Sequence, residues 1–200
     1  MKVVLATGNQ AKLIEFISLM GDGIEVLSLK DFSNLSDIIE DGDSFKENAL
    51  IKARETVKYT GMVAVADDSG LEVDFLAGAP GIYSARFAGE PSDDKRNNDK
   101  LLSLLHGVPW EKRTARFTCA LAVVTPEGEE YLTEGTCEGY ILGEPQGSEG
   151  FGYDPLFYYP ALDKSFAELG VEIKNSISHR ARAFLAGRDV IKAVLEKRKC

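Results

Sequence analysis

The residues Thr7-Gly8-Asn9 form a polar turn between an apolar run and a helical pattern that carries Lys12. A turn at a helix N-terminus directs backbone N–H groups and partial positive charge to one place, where a phosphate fits. Asn9 can add a side-chain donor, and Lys12, which we expect to be exposed, can reach the same anion. We therefore predict an anion site, although the Walker pattern is absent. The alternative is that Thr7 or Asn9 only caps the helix.

Asp67 and Asp68 follow directly on a second apolar run. Residues at strand ends line the clefts of α/β proteins, and successive side chains of an extended chain point to opposite sides. We expect one carboxylate to enter a cleft and the other to order local backbone. Carboxylates beside a phosphate site indicate Mg²⁺, which takes carboxylate, phosphate and water oxygens. The alternative is an ordinary turn, because Asp, Ser and Gly favour turns.

An acidic loop precedes the second helical pattern and contains Glu40, Asp41, Asp43 and Glu47. Such clusters are usually solvated. Glu47 has a structural role as the capping-box partner of Ser44. Glu40 has no such role, so it is the better candidate for a second metal ligand.

The stretch from residue 143 to 160 has glycines at 143, 147, 150 and 152, which predict a loop. Phe151 and Tyr153 lie in this loop, next to Asp154. An aromatic side chain on a glycine-flanked loop can stack on the base of a nucleotide. The alternative is that these aromatics belong to a local core.

Positive charge is concentrated near the start of the last helical pattern, at Lys174, His179, Arg180 and Arg182. The first turn of a helix is unfavourable for cations, unless they share an anion there. A solvated basic patch is the alternative. Taken with the anion site, the carboxylate pair and the aromatic loop, these residues describe a nucleoside triphosphate site with a metal.

Helical and extended patterns alternate early in the chain, and a hairpin follows. We predict strands at residues 3–6 and 62–66, helices at 10–20, 44–61 and 92–107, a hairpin at 113–142 and a last helix from about 178. This order is typical of an α/β fold with a mixed sheet flanked by helices. We expect a single domain over residues 1–200, with a cleft between two lobes.

Composition excludes several classes of protein. The chain has 200 residues and is 44% hydrophobic, which suits a globular domain with a sizeable core. Its net charge of −9 opposes nucleic acid and anionic membranes as partners. We find neither a membrane-spanning run nor a signal peptide. The cysteines, Cys119, Cys137 and Cys200, lack CxxC spacing, which favours reduced thiols and a cytoplasmic location.

Five motifs occur along the chain in the order TGNQAK, FKENALIKA, ADDSGLEVDFLAGAPGIYSARFAG, GFGYDP and KNSISHRARA. Through these motifs, essentially the entire chain resembles the inosine/xanthosine triphosphate pyrophosphatases, which remove non-standard purine nucleotides. The resemblance implies a homodimer of elongated, two-lobed, mixed-sheet domains with a central cleft. It also implies hydrolysis of ITP, dITP and XTP to the monophosphate and pyrophosphate, with Mg²⁺ as cofactor.

The resemblance also implies roles for individual residues. Asp68 would be the catalytic carboxylate and a metal ligand, with Glu40 as the second metal ligand. The substrate-binding residues would be Thr7, Gly8, Asn9, Lys12, Ser69, Phe151, Gly152, Tyr153, Asp154, Lys174, His179 and Arg180.

Two other classes of function stay open at this point. A nucleotide-binding regulator would keep the phosphate and base contacts but would not need Asp68. A pyrophosphatase for modified pyrimidines or methylated bases would share the phosphate chemistry. A panel of nucleotides assayed for released pyrophosphate separates these classes.

Overall fold

A computed structural model describes residues 1–21, 23–32 and 38–198 of the chain. The described residues form one sheet of seven strands in the order β2-β1-β3-β4-β5-β6-β7. The strands are β1 (Lys2–Leu5), β2 (Glu25–Ser28), β3 (Ala64–Val73), β4 (Thr114–Val124), β5 (Glu130–Ile141), β6 (Phe157–Tyr159) and β7 (Lys164–Ser165). Strand β1 pairs in parallel with β2 and β3, whereas β5–β6 and β6–β7 are antiparallel. The predicted mixed α/β sheet is confirmed.

Five α-helices accompany the sheet within the described ranges. They are α1 (Gln10–Met20), α2 (Phe45–Thr60), α3 (Asp94–Leu104), α4 (Val171–Ile177) and α5 (His179–Lys197). Helix α4 and strands β2, β6 and β7 were not predicted, because each is short and carries little periodic signal. None of the described helices has the length and apolarity needed to cross a membrane.

The chain divides into two compact units, each with its own apolar core. Unit 1 comprises Met1–Asp68, Cys119–Gly135 and Arg180–Cys200, and unit 2 comprises Ser69–Thr118 and Thr136–His179. The core of unit 1 packs Phe16 against Phe184, with ring centroids 4.7 Å apart. The core of unit 2 is built around Phe117, Phe157 and Phe166. Because each unit has a core, the site residues of each are held by local packing.

Strand β3 is longer than the predicted strand at 62–66. Asp67 and Asp68 lie inside it, so the prediction that they follow a strand end was wrong. The apolar pattern resumes after them with Leu71 and Val73, which are fully buried. Buried apolar residues on both sides of the aspartates keep the backbone extended through them.

The predicted helix at 44–61 is confirmed as α2, with Ser44 and Gly61 as its caps. The Ser44 side chain accepts a hydrogen bond from the backbone N–H of Glu47. The Glu47 carboxylate accepts from the N–H of Asp43 at 2.8 Å. Gly61 has φ 65°, the left-handed conformation that glycine adopts at helix ends.

The sequence predicts Ser92 as the cap of the helix at 92–107, but α3 begins one residue later than that cap implies, at Asp94, and ends at Leu104. Its cap is Asp93, whose carboxylate accepts from the backbone N–H of Arg96 at 2.9 Å. The hydroxyl of Ser92, the predicted cap, instead donates to the carbonyl of Ala85. The hairpin of β4 and β5 and the last helix, α5, lie where the sequence predicts them.

Replacement of Ser44 by alanine should lower the free energy of unfolding by about 1 kcal/mol, because one N–H at the start of α2 loses its acceptor. Urea denaturation measures this change. Ser103→Ala, an exposed position in α3, is the matched control and should change stability little. Equal stability of both variants and the wild type would show that the cap contributes nothing.

Candidate active site

Asp67 is a buried carboxylate with two cationic partners in unit 1. Its side chain is 2% exposed. Lys12 Nζ donates to Asp67 Oδ2 at 2.9 Å, and Arg180 Nε donates to the same oxygen at 3.3 Å. Arg180 Nη1 also donates to Glu15 Oε2 at 2.6 Å. The sequence predicts an anion for the cations near the start of α5. For Arg180, the Asp67 carboxylate of the protein itself is such an anion.

The charge state of Asp67 follows from these contacts. Burial alone would raise the pKa of Asp67. Lys12, Arg180 and Lys52 outweigh burial and hold the pKa of this carboxyl well below its usual range. Asp67 therefore stays ionised at neutral pH, as a fixed counter-charge for the cations around it.

The Thr7–Lys12 segment caps helix α1 and also positions the Lys12 ammonium. Thr7 Oγ1 accepts from the N–H of Asn9 at 3.1 Å, and Asn9 Oδ1 accepts from the N–H of Lys12 at 3.4 Å. The Lys12 side chain is only 20% exposed, because Asp67 holds it. The expectation of an exposed Lys12 was wrong. Gly8 and Asn9 are exposed, and the anion site at this turn stays a prediction.

Asp68, the next residue, has a separate set of partners in unit 1. Lys52 Nζ donates to Asp68 Oδ1 at 3.0 Å and to Glu40 Oε2 at 2.8 Å. Asn48 Nδ2 donates to the other oxygen of Asp68 at 3.3 Å. The two aspartates have different partners, as the alternation of side chains along an extended chain predicts. The entry of one carboxylate into a cleft and the ordering of local backbone by the other stay predictions.

Helix α2 supplies these contacts from its buried face. Asn48 and Lys52 are one turn apart, so their side chains project from the same side of the helix. Asn48 Oδ1 accepts from the N–H of Gly42 at 2.9 Å, which leaves its amide nitrogen to hold Asp68. A Cβ on Gly42 would lie 2.9 Å from Asn48 Oδ1 and 2.7 Å from Glu47 Cβ. Glycine at residue 42 therefore permits this close approach.

The carboxylates and the ammonium of this group shift one another's pKa values. Burial raises the pKa of Asp68, Lys52 lowers it, and Glu40 raises it again, so that it ends above its usual value. Burial lowers the pKa of Lys52, but Asp68 and the other nearby carboxylates outweigh burial and raise it. Lys52 is therefore a cation, and Asp68 is a carboxylate with increased affinity for a proton.

The donor set fits a hard divalent cation. Glu40 and Asp68 present carboxylate oxygens to a single ammonium, so the fold already brings them to one positive charge. Mg²⁺ in nucleotide sites is typically held by one or two carboxylates, phosphates and water. No group of three or more metal-ligating His, Cys, Asp or Glu side chains occurs among the described residues. One or two carboxylates are enough for a Mg²⁺ site that phosphate oxygens and water complete.

Unit 2 assembles a second group around Asp154, which is 3% exposed. Lys174 Nζ donates to Asp154 Oδ2 at 2.6 Å, and the N–H of Phe151 donates to the same oxygen at 2.9 Å. The Lys174 ammonium also lies 4.8 Å from the centroid of the Phe151 ring. The predicted residues Phe151, Asp154 and Lys174 are thus brought together.

Helix α3 forms hydrogen bonds with both backbone groups of Gly152, the residue that follows Phe151. Asp94 Oδ2 accepts from the N–H of Gly152 at 2.8 Å, and Asn98 Nδ2 donates to the carbonyl of Gly152 at 3.0 Å. Asp94 and Asn98 are one turn apart on α3. Gly150 has φ 82°, and a Cβ there would lie 2.1 Å from Asp154 Oδ2. The loop is therefore tightly folded onto its own carboxylate.

The other predicted residues of unit 2 have different surroundings. Tyr153 is 5% exposed in the apolar core, and its hydroxyl donates to the carbonyl of Ser84 at 2.8 Å. His179 stacks on Phe117, with centroids 4.7 Å apart. Ser69 is half-buried in β3. The Tyr153 side chain therefore belongs to a local core, which is the alternative that the sequence left open. Contacts of Tyr153, His179 and Ser69 with a nucleotide stay predictions.

Sequence reasoning missed Lys52 and Asn48. The signal was present in the buried face of α2, which repeats Phe45, Ala49 and Ala53. Asn48 and Lys52 fall on that face at helical spacing, where polar side chains are rare unless they have partners. Polar residues on an apolar face predict a buried polar group.

Three comparisons identify similar proteins. A model described as the Ham1 family matches residues 3–189. A dITP/XTP pyrophosphatase of Desulforamulus reducens is 53% identical over 192 residues, which cover 96% of each chain. A HAM1 protein from Coxiella burnetii has a TM-score of 0.89 at 40% identity, over 96% of this chain and 99% of that one. A nucleoside-triphosphatase / dITP/XTP pyrophosphatase from Mycobacterium abscessus has a TM-score of 0.78 at 47% identity, over 93% and 98%.

Asp67→Asn should lower the free energy of unfolding by about 3–5 kcal/mol, because Arg180 and Lys12 would lose a buried counter-charge. Asp68→Asn is the matched control. It should cost much less, since Lys52 keeps Glu40 as a partner. Urea denaturation at pH 7 measures both changes.

The stability gap between the wild type and Asp67→Asn should also depend on pH. A lowered folded-state pKa stabilises the protein above the ordinary carboxyl pKa of about 4, and this contribution is lost as the pH falls through the folded value. The gap should be constant from about pH 5 to 8 and shrink below about pH 4. Equal destabilisation by the two variants would contradict the assignment of Asp67 as the buried counter-charge.

Proposed function

The chain belongs to the Ham1 family, and we propose that it hydrolyses ITP, dITP and XTP to the monophosphate and pyrophosphate. Removal of these nucleotides would keep them out of DNA and RNA. The observation that carries the proposal is the pair of adjacent carboxylates in β3. One is locked as an ion pair with Lys12 and Arg180, and the other, Asp68, has a raised pKa beside Lys52 and Glu40.

Asp68 is the general base in this proposal. Hydrolysis requires a group that takes a proton from the water attacking the α-phosphorus. In the protein without bound metal, burial and Glu40 raise the pKa of Asp68, so this carboxylate has an increased affinity for a proton before Mg²⁺ binds. Asp67 is unsuited to the task, because its cationic partners keep its pKa low.

Glu40 and Asp68 would hold Mg²⁺. Bound there, Mg²⁺ would offset the charge of the triphosphate and of the departing pyrophosphate. Asn48 orients the Asp68 carboxylate through its second oxygen. A positioned carboxylate reacts faster than a mobile one, since less orientational freedom remains to be lost.

Lys12 would bind the triphosphate. An ammonium has three donors, and one of them goes to Asp67. The remaining donors, with the backbone N–H group of Gly8 and the side chain of Asn9, can approach phosphate oxygens. Arg180 is 3% exposed and paired with Asp67 and Glu15, so its main effect on phosphate would be to hold Asp67 and Lys12 in place.

The group in unit 2 would recognise the base. Hypoxanthine and xanthine carry an acceptor at O6, where adenine has an amino donor. Lys174, beside the Phe151 ring, and His179 can supply donors to O6. Adenine would leave such donors unpaired, at a cost of roughly 1–3 kcal/mol each. Stacking on Phe151 would add affinity without regard to the base.

We also propose that the protein is a homodimer in the cytoplasm, like the family that its sequence resembles. Cys119 and Cys137 are buried, and burial raises the pKa of Cys119 to about 12. A thiol with a raised pKa reacts slowly with oxidants, which fits a reducing compartment. Size-exclusion chromatography with light scattering tests the dimer.

Purified protein with Mg²⁺ should convert ITP and XTP to the monophosphate and pyrophosphate at least about tenfold more efficiently than ATP, since one unpaired donor is worth that factor. Chromatographic separation of the products from a nucleotide panel measures this preference. Equal turnover of ATP and ITP, or orthophosphate as the first product, would contradict the proposal. Tight binding of ITP without turnover would favour a regulator.

Lys12→Ala should lower kcat/KM by about one to two powers of ten, because a charge-assisted bond to phosphate is worth roughly 1.5–3 kcal/mol. The loss should be the same for ITP and XTP, which share the triphosphate. The melting temperature should also fall, since Lys12 pairs with buried Asp67. Steady-state kinetics well below the melting temperature separate the two effects.

Lys2→Ala is the matched control, because Lys2 is exposed and pairs with Glu25, which is also exposed. It should keep wild-type kinetics. A loss in Lys12→Ala for one base only would place Lys12 at the base.

A further inference from the structure

One ammonium holds both proposed metal ligands. Lys52 Nζ lies 2.8 Å from Glu40 Oε2 and 3.0 Å from Asp68 Oδ1, and its side chain is 9% exposed. A divalent cation bound by the same two carboxylates would repel an ammonium at hydrogen-bond distance from both. Binding of the cation therefore requires Lys52 to give up at least one of these contacts.

The local charge also disfavours a divalent cation on its own. Lys52 cancels one of the two negative charges of Glu40 and Asp68. The neighbouring group adds little attraction, because Lys12 and Arg180 balance Asp67 and Glu15. With Lys52 in place, Glu40 and Asp68 together present a net charge of about −1 to a cation, which is half of the charge of the two carboxylates.

A triphosphate changes both conditions. It brings several negative charges of its own, and its oxygens offer the Lys52 ammonium new partners. Lysine suits such an exchange, since its charge is a compact head with three donors on a flexible four-carbon stem. Asp68 would not lose its position during the exchange, because Asn48 holds its other oxygen.

We propose that Lys52 makes divalent-cation binding at Glu40 and Asp68 conditional on the triphosphate. The ammonium keeps the free protein a weak metal binder and moves towards phosphate when metal and nucleotide arrive together. This inference rests on the proposed function, because it takes Glu40 and Asp68 as the metal ligands.

The test measures binding of Mn²⁺, used as a probe for Mg²⁺, by electron paramagnetic resonance without any turnover. Lys52→Met should bind Mn²⁺ at least about tenfold tighter than the wild type in the absence of nucleotide, because a like charge is removed next to the cation. Lys58→Met is the matched control. Lys58 is on the same helix and pairs only with surface Glu55 in the described contacts, so it should match the wild type.

The second arm adds an α,β-methylene analogue of ITP, which cannot be hydrolysed at that bond. The analogue should tighten Mn²⁺ binding by the wild type at least about tenfold, and by Lys52→Met clearly less. Lys52→Gln, which keeps hydrogen-bond donors without charge, should behave like Lys52→Met. Circular dichroism checks folding, and Lys52→Gln carries the test if Lys52→Met does not fold.

Each outcome separates this inference from the proposed function. Equal or weaker Mn²⁺ binding by the folded Lys52 variants would overturn the role of Lys52. Glu40→Gln and Asp68→Asn test the ligands themselves. Unchanged Mn²⁺ binding by both of these variants, with the analogue present, would overturn the metal site of the proposed function.

Discussion

The burial of Asp67 is the constraint on which the arrangement of unit 1 depends. An ionised carboxylate inside a strand is tolerated only when cations and hydrogen bonds replace water. Lys12 at the start of α1 and Arg180 at the start of α5 provide those cations. Both helix starts are therefore joined to β3 through Asp67 Oδ2. The position of Asp68, the next residue of the strand, follows from this arrangement.

The adjacent aspartates acquire different chemistry from their partners alone. Both carboxylates are substantially buried, and both have a lysine within 3.0 Å. Asp67 has a second cation, whereas Asp68 has Glu40 as a near neighbour, and this difference moves the two pKa values in opposite directions. The alternation of side chains along a strand is what gives two neighbouring residues two environments.

The long helices and the hairpin could be predicted because their caps, turns and apolar periods are local. Ser44 and Gly61 mark the two ends of α2, and the hairpin predicted at residues 113–142 contains β4 and β5. The end of β3 was missed because two charged residues interrupt its apolar pattern, and their burial depends on Lys12 and Arg180, which are distant in sequence. Lys52 was missed for a similar reason. A lysine on a helix is usually solvated, and only the position of Glu40 and Asp68 in the fold shows otherwise.

The two hydrogen bonds between α3 and the backbone of Gly152 affect the entropy of ligand binding at Phe151. The loop at 143–152 contains four glycines, and such a sequence is conformationally free in an unfolded chain. In the folded protein, Asp94 and Asn98 hold both backbone groups of Gly152, and Asp154 holds the N–H of Phe151. The ordering of this segment is completed during folding, so a ligand that meets Phe151 does not have to freeze the loop, and more of its contact energy remains as affinity.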